Sequence, residues 1–171
     1  APLNDHVRAW LGHSHDEGGA LAEEGAVDEA VLARFAEHRY FMKIPPKSLD
    51  RDAFPELVAA ADGMTAADGA VTLTAAVAVA VMRGVEHFPA PVARVLVTGG
   101  GRRNPVMMRM IAQALGVEVV PVEAAGLDGD MLEAQAFAYL AVRVARGLPT
   151  SAPGTTGVRA AVGGGTISRP A

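Results

Sequence analysis

At 171 residues and a formal net charge of −4, the chain has room for one domain, or one lobe of a larger enzyme, with a real core. The acidic balance gives no electrostatic footing for nucleic acid, and the lack of cysteine excludes a disulfide framework, a thiolate metal site and a cysteine nucleophile. The longest apolar run, Ala75 to Met82, falls well short of the roughly 20 residues that span a bilayer, and Ala1 to Trp10 lack the order of a signal peptide, so no membrane segment is expected.

Hydrophobic residues make up 50% of the chain but aromatics only 5%, so Ala and Val must fill most of the interior through close helix contacts. In chain order, Leu3 to Leu11 predicts a short helix closed by Gly12. After His13-Ser14-His15-Asp16 a second helix runs through Leu21 to Glu24. Asp28 is placed to cap a third, whose Val31, Leu32 and Phe35 follow helical spacing and which ends near His38. Tyr40 to Ile44 is expected to be short and extended, because Pro45 and Pro46 bias the preceding residues away from helix. Thr65 with Asp68 three positions on resembles a capping box. The alternation at Val77, Val79 and Val81 looks strand-like, but a strand from Thr65 to Gly84 is too long for a globular sheet, so a buried helix is expected.

Val95-Leu96-Val97 predicts a fully buried strand that ends at Gly99-Gly100-Gly101. Asn104 and Pro105 then supply an N-cap and a first helical residue, and the helix carrying Met107, Met108 and Met110 stops at Gly116. Val117 to Val122 predicts a second strand. Asp128 or Asp130 opens a last helix that runs to Gly147. Strand, helix, strand, helix implies a parallel unit, and the segment beyond Pro149, rich in Gly, Thr, Ser and Pro, is expected to be irregular.

Four features can carry chemistry. The Gly99-Gly100-Gly101 turn between a strand and a helix start suits an anionic ligand, although it has neither dinucleotide nor P-loop spacing and equally suits a plain tight turn. Glu133 falls on the helical stripe of Phe137, Leu140 and Val144, which should face the core or a cleft, opposite Gln135, Tyr139, Arg143 and Arg146. A carboxylate there needs a partner or a pocket, unless it escapes to water as a first-turn residue. His13 and His15 beside Asp16 form a loop that is either a polar turn or part of a metal site. Pro45-Pro46-Lys47-Ser48 with Arg51 presents two cations, either to an acidic substrate or neighbouring domain or simply to solvent.

Several stretches in one order resemble the anhydro-N-acetylmuramic acid kinase family, within the actin-like ATPase (ribonuclease H-like) superfamily. They are Tyr40-Phe41 with PPKS at Pro45 to Ser48, Thr72-Leu73-Thr74, VLVTGGGRRNP from Val95 to Pro105, GLDGDMLEAQAFAYLA from Gly126 to Ala141, and PTSAPGTTGV from Pro149 to Val158. The resemblance implies an α/β, helix-rich carboxyl-terminal lobe whose early strands lie upstream. Residues 1–148 form the lobe, as a helical insertion (1–62) and an α/β nucleotide-binding part (63–148), with 149–171 as a tail. It also implies a cytoplasmic, dimeric, ATP- and Mg²⁺-dependent kinase. Such an enzyme opens 1,6-anhydro-N-acetylmuramic acid with water and phosphorylates O6 in cell-wall recycling. By resemblance Gly99, Gly100, Gly101 and Asn104 hold the nucleoside of ATP. Glu133 of the D-x-x-E-A motif contacts the sugar, with Asp130 as looser support. The family's phosphate loops and its catalytic base have no counterpart here, so the base and the partner amino-terminal lobe are expected upstream and the chain alone is expected to be inactive. After PPKS the family has Thr-Gly-Arg where this chain has Leu49-Asp50-Arg51, which alters the local loop. Another sugar kinase of the same superfamily and a non-catalytic nucleotide-binding module are the alternative readings.

Overall fold

The computed structural model describes residues 2–50 and 52–168. Helix α1 (Pro2–Leu11) leads through a 3₁₀ turn (Glu17–Gly19) into α2 (Ala20–Glu23), followed by α3 (Glu29–Ala36) and α4 (Pro55–Asp62). The long helix α5 (Ala66–Val85) precedes β1 (Arg94–Val97), a 3₁₀ turn (Gly100–Arg103), α6 (Pro105–Leu115) and β2 (Glu118–Pro121). A third 3₁₀ turn (Val122–Ala125), α7 (Leu132–Ala145) and the single-turn α8 (Pro153–Thr156) complete the chain.

Helix α5 is the axis. Its residues from Gly69 to Ala76, and Ala78, are buried, and α1, α2, α3, α4 and α6 all pack on it. By length and composition it would suffice to cross a membrane, but those five helices cover its small residues. Small side chains let the axes approach closely, as the Ala-rich composition requires. Aromatic rings fill the wider gap on one side: Phe35 meets Phe54 and Phe41 edge-on, with centroids 4.9 and 5.2 Å apart, and Leu57, Leu73 and Ala76 complete that cluster. A second cluster joins Ala22, Ala70, Val71 and Val106.

The helix starts follow the local chemistry. Asp28 accepts from the Val31 amide and Asn104 from the Met107 amide, both at 2.9 Å, and Thr65 accepts from the Asp68 amide at 3.1 Å. Asp68 departs from the reciprocal capping pattern. Its carboxylate reaches the backbone amide of Ala26, at 2.7 Å, and so ties the α2–α3 turn to the head of α5. This bond, then the Thr65 hydroxyl, holds Asp68 below its ordinary pKa.

Strands β1 and β2 run parallel, pairing Arg94 with Glu118 and Val97 with Pro121, with α6 as the crossover. The expected burial of β1 is not met, since Leu96 is 38% exposed. Among the described residues, the face of this two-stranded sheet that carries Leu96 is left partly open. Tyr40 to Ile44 is not extended either: the Phe41 amide donates to His38 O and the Lys43 amide to Tyr40 O, which closes successive turns. Packing of the Tyr40 and Phe41 rings against Phe54 outweighs the local bias toward extension. Helix α4 escaped the sequence reading, although Pro55 at its first turn and Glu56 beside it are ordinary start signals.

Helix α7 begins at Leu132, later than an Asp128 or Asp130 cap would place it. Asp128 instead folds a tight turn, its Oδ1 accepting from the amides of Asp130 (3.0 Å) and Met131 (3.2 Å). No residue of α7 is buried, so its apolar stripe does not face a core: Phe137 is 65% exposed. The terminal segment is less irregular than its composition suggests. Besides α8 it has an antiparallel bridge between Ser151 and Val162, and Gly157 lies against Pro46 with no room for a methyl group.

Candidate functional site

Where β1 ends, Gly99 takes φ +72°, which a side chain disfavours, and a Cβ on Gly99 or Gly100 would meet nothing within 4 Å. The turn therefore presents bare backbone to open space. The Asn104 amide donates to Gly101 O at 3.1 Å and the Arg102 amide to Gly99 O at 3.3 Å, closing the turn before the capped start of α6. Asn104 is buried, and its Oδ1 is engaged with the Met107 amide.

Gly100, Gly101, Arg103 and Asn104 line a cavity of 1320 Å³. It runs along α5 to the aromatic cluster, where Tyr40, Phe41 and Phe54 form its far wall. Typical small-molecule pockets are about 300–1,000 Å³, so this one is roomy and its wall offers rings for a planar group.

Lys47 also lines the cavity. It is neither a free cation nor a solvated one: its ammonium donates to the carbonyls of Tyr40 and Phe41, both at 3.4 Å, and lies 4.8 Å from the Tyr40 ring centroid. It also donates to His87 Nε2 at 3.2 Å. Arg51, the second cation of that segment, falls outside the described residues. Asp16 points away from a metal role, since its oxygens accept from the Leu21 and Ala22 amides at 2.8 and 3.1 Å and cap α2. His15 Nδ1 instead pairs with the Ser14 hydroxyl. Among the described residues no group of three His, Asp or Glu side chains is placed to hold a metal ion.

Behind the glycine turn sits a knot that the sequence reading missed. Arg102, its side chain 5% exposed, donates from Nε to Glu123 Oε1 and from Nη1 to Gly99 O, each at 2.9 Å, while its Nη2 pairs with Asp130 at 3.0 Å. Glu123 also accepts from the Gly129 amide at 3.3 Å. Hydrogen bonding to its own backbone amide, then to Arg102, keeps the Glu123 carboxyl below its usual range, and Glu123 in turn raises Arg102. Arg103 pairs with the other oxygen of Asp130. The available signal was two arginines directly after a glycine turn, with acidic residues in the later Gly-rich loop.

Asp130 is thus brought to the back of the glycine turn. Glu133, one turn into α7, is solvent-exposed and does not line the cavity. The expectation that its stripe faces a core or cleft fails because, among the described residues, nothing packs over α7 closely enough to bury any of it.

A glycine turn at the carboxyl end of a parallel strand, followed by a capped helix beside a large cavity, defines a helix-rich α/β protein whose cavity has the form that small-molecule sites take. The sequence pattern of anhydro-N-acetylmuramic acid kinase matches residues 2–170. The anhydro-N-acetylmuramic acid kinase of Cereibacter sphaeroides is 68% identical over 99% of this chain, and those of Roseobacter denitrificans and Ruegeria sp. (strain TM1040) are 59% and 58% identical over the same share. The chain belongs to the anhydro-N-acetylmuramic acid kinase family. It spans 45–46% of the length of these three relatives.

Proposed function

We propose that this chain is the nucleotide-binding and sugar-contacting part of an ATP-dependent kinase that opens 1,6-anhydro-N-acetylmuramic acid and phosphorylates its O6. The observation that carries the reading is the glycine turn: Gly99 and Gly100 leave open space where a side chain would stand, and Gly100, Gly101 and Asn104 line one large cavity. ATP fits what is present: open glycine backbone for close approach, aromatic rings for the base, and Arg103 at the rim. Gly99, Gly100, Gly101 and Asn104 would hold the nucleoside. Mg²⁺ would arrive on the nucleotide phosphates and neutralise their charge there.

Glu133 and Asp130 are assigned to the sugar side. Glu133 lies in solvent in this chain, so its contact with sugar requires the remaining half of the relatives' length to close over α7. The base that activates water is assigned to that other half, and no catalytic residue is assigned here. The full enzyme is a cytoplasmic homodimer in this reading, acting in cell-wall recycling.

Phosphoryl transfer rests on positioning and charge stabilisation, so a part with an incomplete sugar side and no base gives no turnover. The test is a phosphate-transfer assay with the anhydro sugar and Mg-ATP. It compares this chain alone with a polypeptide of the relatives' full length that includes this chain. Product from the longer polypeptide only is expected. Robust product from the chain alone overturns the division of labour, and none from either overturns the kinase reading.

A further inference from the structure

We propose that Arg102 is a positioning residue: it pins the loop from Glu123 to Asp130 onto the glycine turn, so that the sugar side of the site is aligned from the nucleotide side. This rests on the kinase reading above, in which the glycine turn holds nucleotide and Asp130 and Glu133 serve the sugar.

The guanidinium is almost wholly buried, and a buried charge needs each of its donors matched. Here Nε, Nη1 and Nη2 reach three separate pieces of chain: Glu123, the Gly99 carbonyl and Asp130. The fork geometry of arginine makes this possible, and a lysine ammonium on a flexible stem cannot reproduce it. Gly129 records how tight the fit is, since a Cβ there would stand 2.4 Å from Arg102 Nε.

The two sides of the clamp do not depend on it equally. The glycine turn keeps its own bonds when Arg102 is lost, through the Asn104 amide to Gly101 O and the backbone amide of residue 102 to Gly99 O. The acidic loop keeps two ties across to the turn, the exposed Arg103–Asp130 ion pair and Thr98 Oγ1 donating to Gly129 O at 3.2 Å, and neither holds Glu123. Loss of the guanidinium also leaves Glu123 and Asp130 as two adjacent carboxylates. Asp130 leads directly into α7, and it holds Arg103 at the cavity rim. Removing Arg102 therefore loosens the start of α7 and the rim while the nucleotide turn keeps its shape.

The experiment uses the full-length polypeptide with Arg102→Met, Arg102→Lys, the milder Glu123→Gln, and Arg109→Met as a control at an exposed ion pair with Glu23. Steady-state KM for each ligand and backbone hydrogen exchange are read together. Arg102→Met should raise KM for the anhydro sugar at least about tenfold, with KM for ATP within about twofold. Arg102→Lys should recover only part of the loss, and Glu123→Gln should move in the same direction by less. Amides of Gly129, Asp130 and Met131 should exchange faster in both Arg102 variants. Arg109→Met should leave all of these unchanged.

An unchanged sugar KM overturns the proposal, as does an equal rise in both KM values or unaltered exchange at residues 129–131. Should Arg102→Met not fold, Glu123→Gln decides: a sugar KM that does not rise relative to that for ATP, or unaltered exchange at residues 129–131, overturns the proposal. If the unsubstituted full-length polypeptide has no kinase activity, the kinase reading falls, while the exchange result still decides whether Arg102 pins the loop.

Discussion

Gly19 lies against Asn104 so closely that a Cβ on the glycine would stand 2.5 Å from Asn104 Oδ1 and 2.6 Å from Val106 Cγ2. The helical entry of the chain is thus seated on the residue that caps α6 behind the glycine turn. Gly19 also has φ +75°, so Gly19→Ala adds backbone strain to the clash. Overpacking of this kind typically costs about 1–3 kcal/mol. Denaturant titration should show a loss in that range, and if the proposed nucleotide site is right, ATP binding should weaken with it through displacement of Asn104. Wild-type stability in the variant would mean the seat is loose.

Asn104 itself is expected to have two separable effects. Asn104→Ala removes the side-chain cap of α6, worth about 1 kcal/mol, and Asn104→Asp restores a cap while adding negative charge beside the proposed nucleoside site. Thermal unfolding should therefore show alanine destabilised and aspartate near wild type. Binding of a fluorescent ATP analogue should be weakened by both. Full binding in both variants would remove Asn104 from the ligand's contacts.

Acid stability follows from Asp68 and Glu123. Both have folded pKa values lowered below the ordinary carboxylate range, Asp68 chiefly by the Ala26 amide and Glu123 chiefly by its own amide. The unfolded chain then binds more protons, so their contribution is present above the unfolded pKa of about 4 and is lost as pH falls through the lower folded values. The wild type should lose stability on acidification below about pH 5 more steeply than Asp68→Asn or Glu123→Gln. Denaturant midpoints measured from neutral to acid pH check this. Parallel slopes for all three proteins would count against it.

Phe35 meets both Phe41 and Phe54 edge-on in the aromatic cluster. Phe35→Ala should cost about 3–5 kcal/mol, enough to unfold a large fraction of a marginal domain. Phe35→Leu, nearer in volume, should cost less. The loss also reaches the proposed site, because these rings form the far wall of the cavity.

Phe137 is 65% exposed on the apolar stripe of α7, and Tyr139 is 60% exposed on the opposite face, so both faces of this helix show a large ring to solvent. Sedimentation of the chain alone should show association at raised concentration, and Phe137→Lys should reduce it. A monomer at every concentration would show that α7 is not sticky by itself.

Much of this architecture was written in local chemistry. Thr65, Asp28 and Asn104 announced their helices because a short polar side chain satisfies orphan amides wherever it occurs, and Gly116 ended α6 in the left-handed conformation expected of it. The β1–α6–β2 order and the glycine turn were legible for the same reason: each depends on neighbours a few residues apart. Family membership was legible because whole motifs recur in order. Tertiary structure alone decided the rest. Whether Tyr40 to Ile44 extends or turns depends on Phe54, distant in sequence, and whether Asp68 serves its own helix or Ala26 depends on where α2 ends. The Arg102 clamp joins residues 21 to 28 positions away, with nothing in local spacing to mark it. The stripe on α7 shows the limit most plainly. Periodicity says which residues share a face, but burial is a property of what packs against that face, and only the folded chain shows that no residue of α7 is buried.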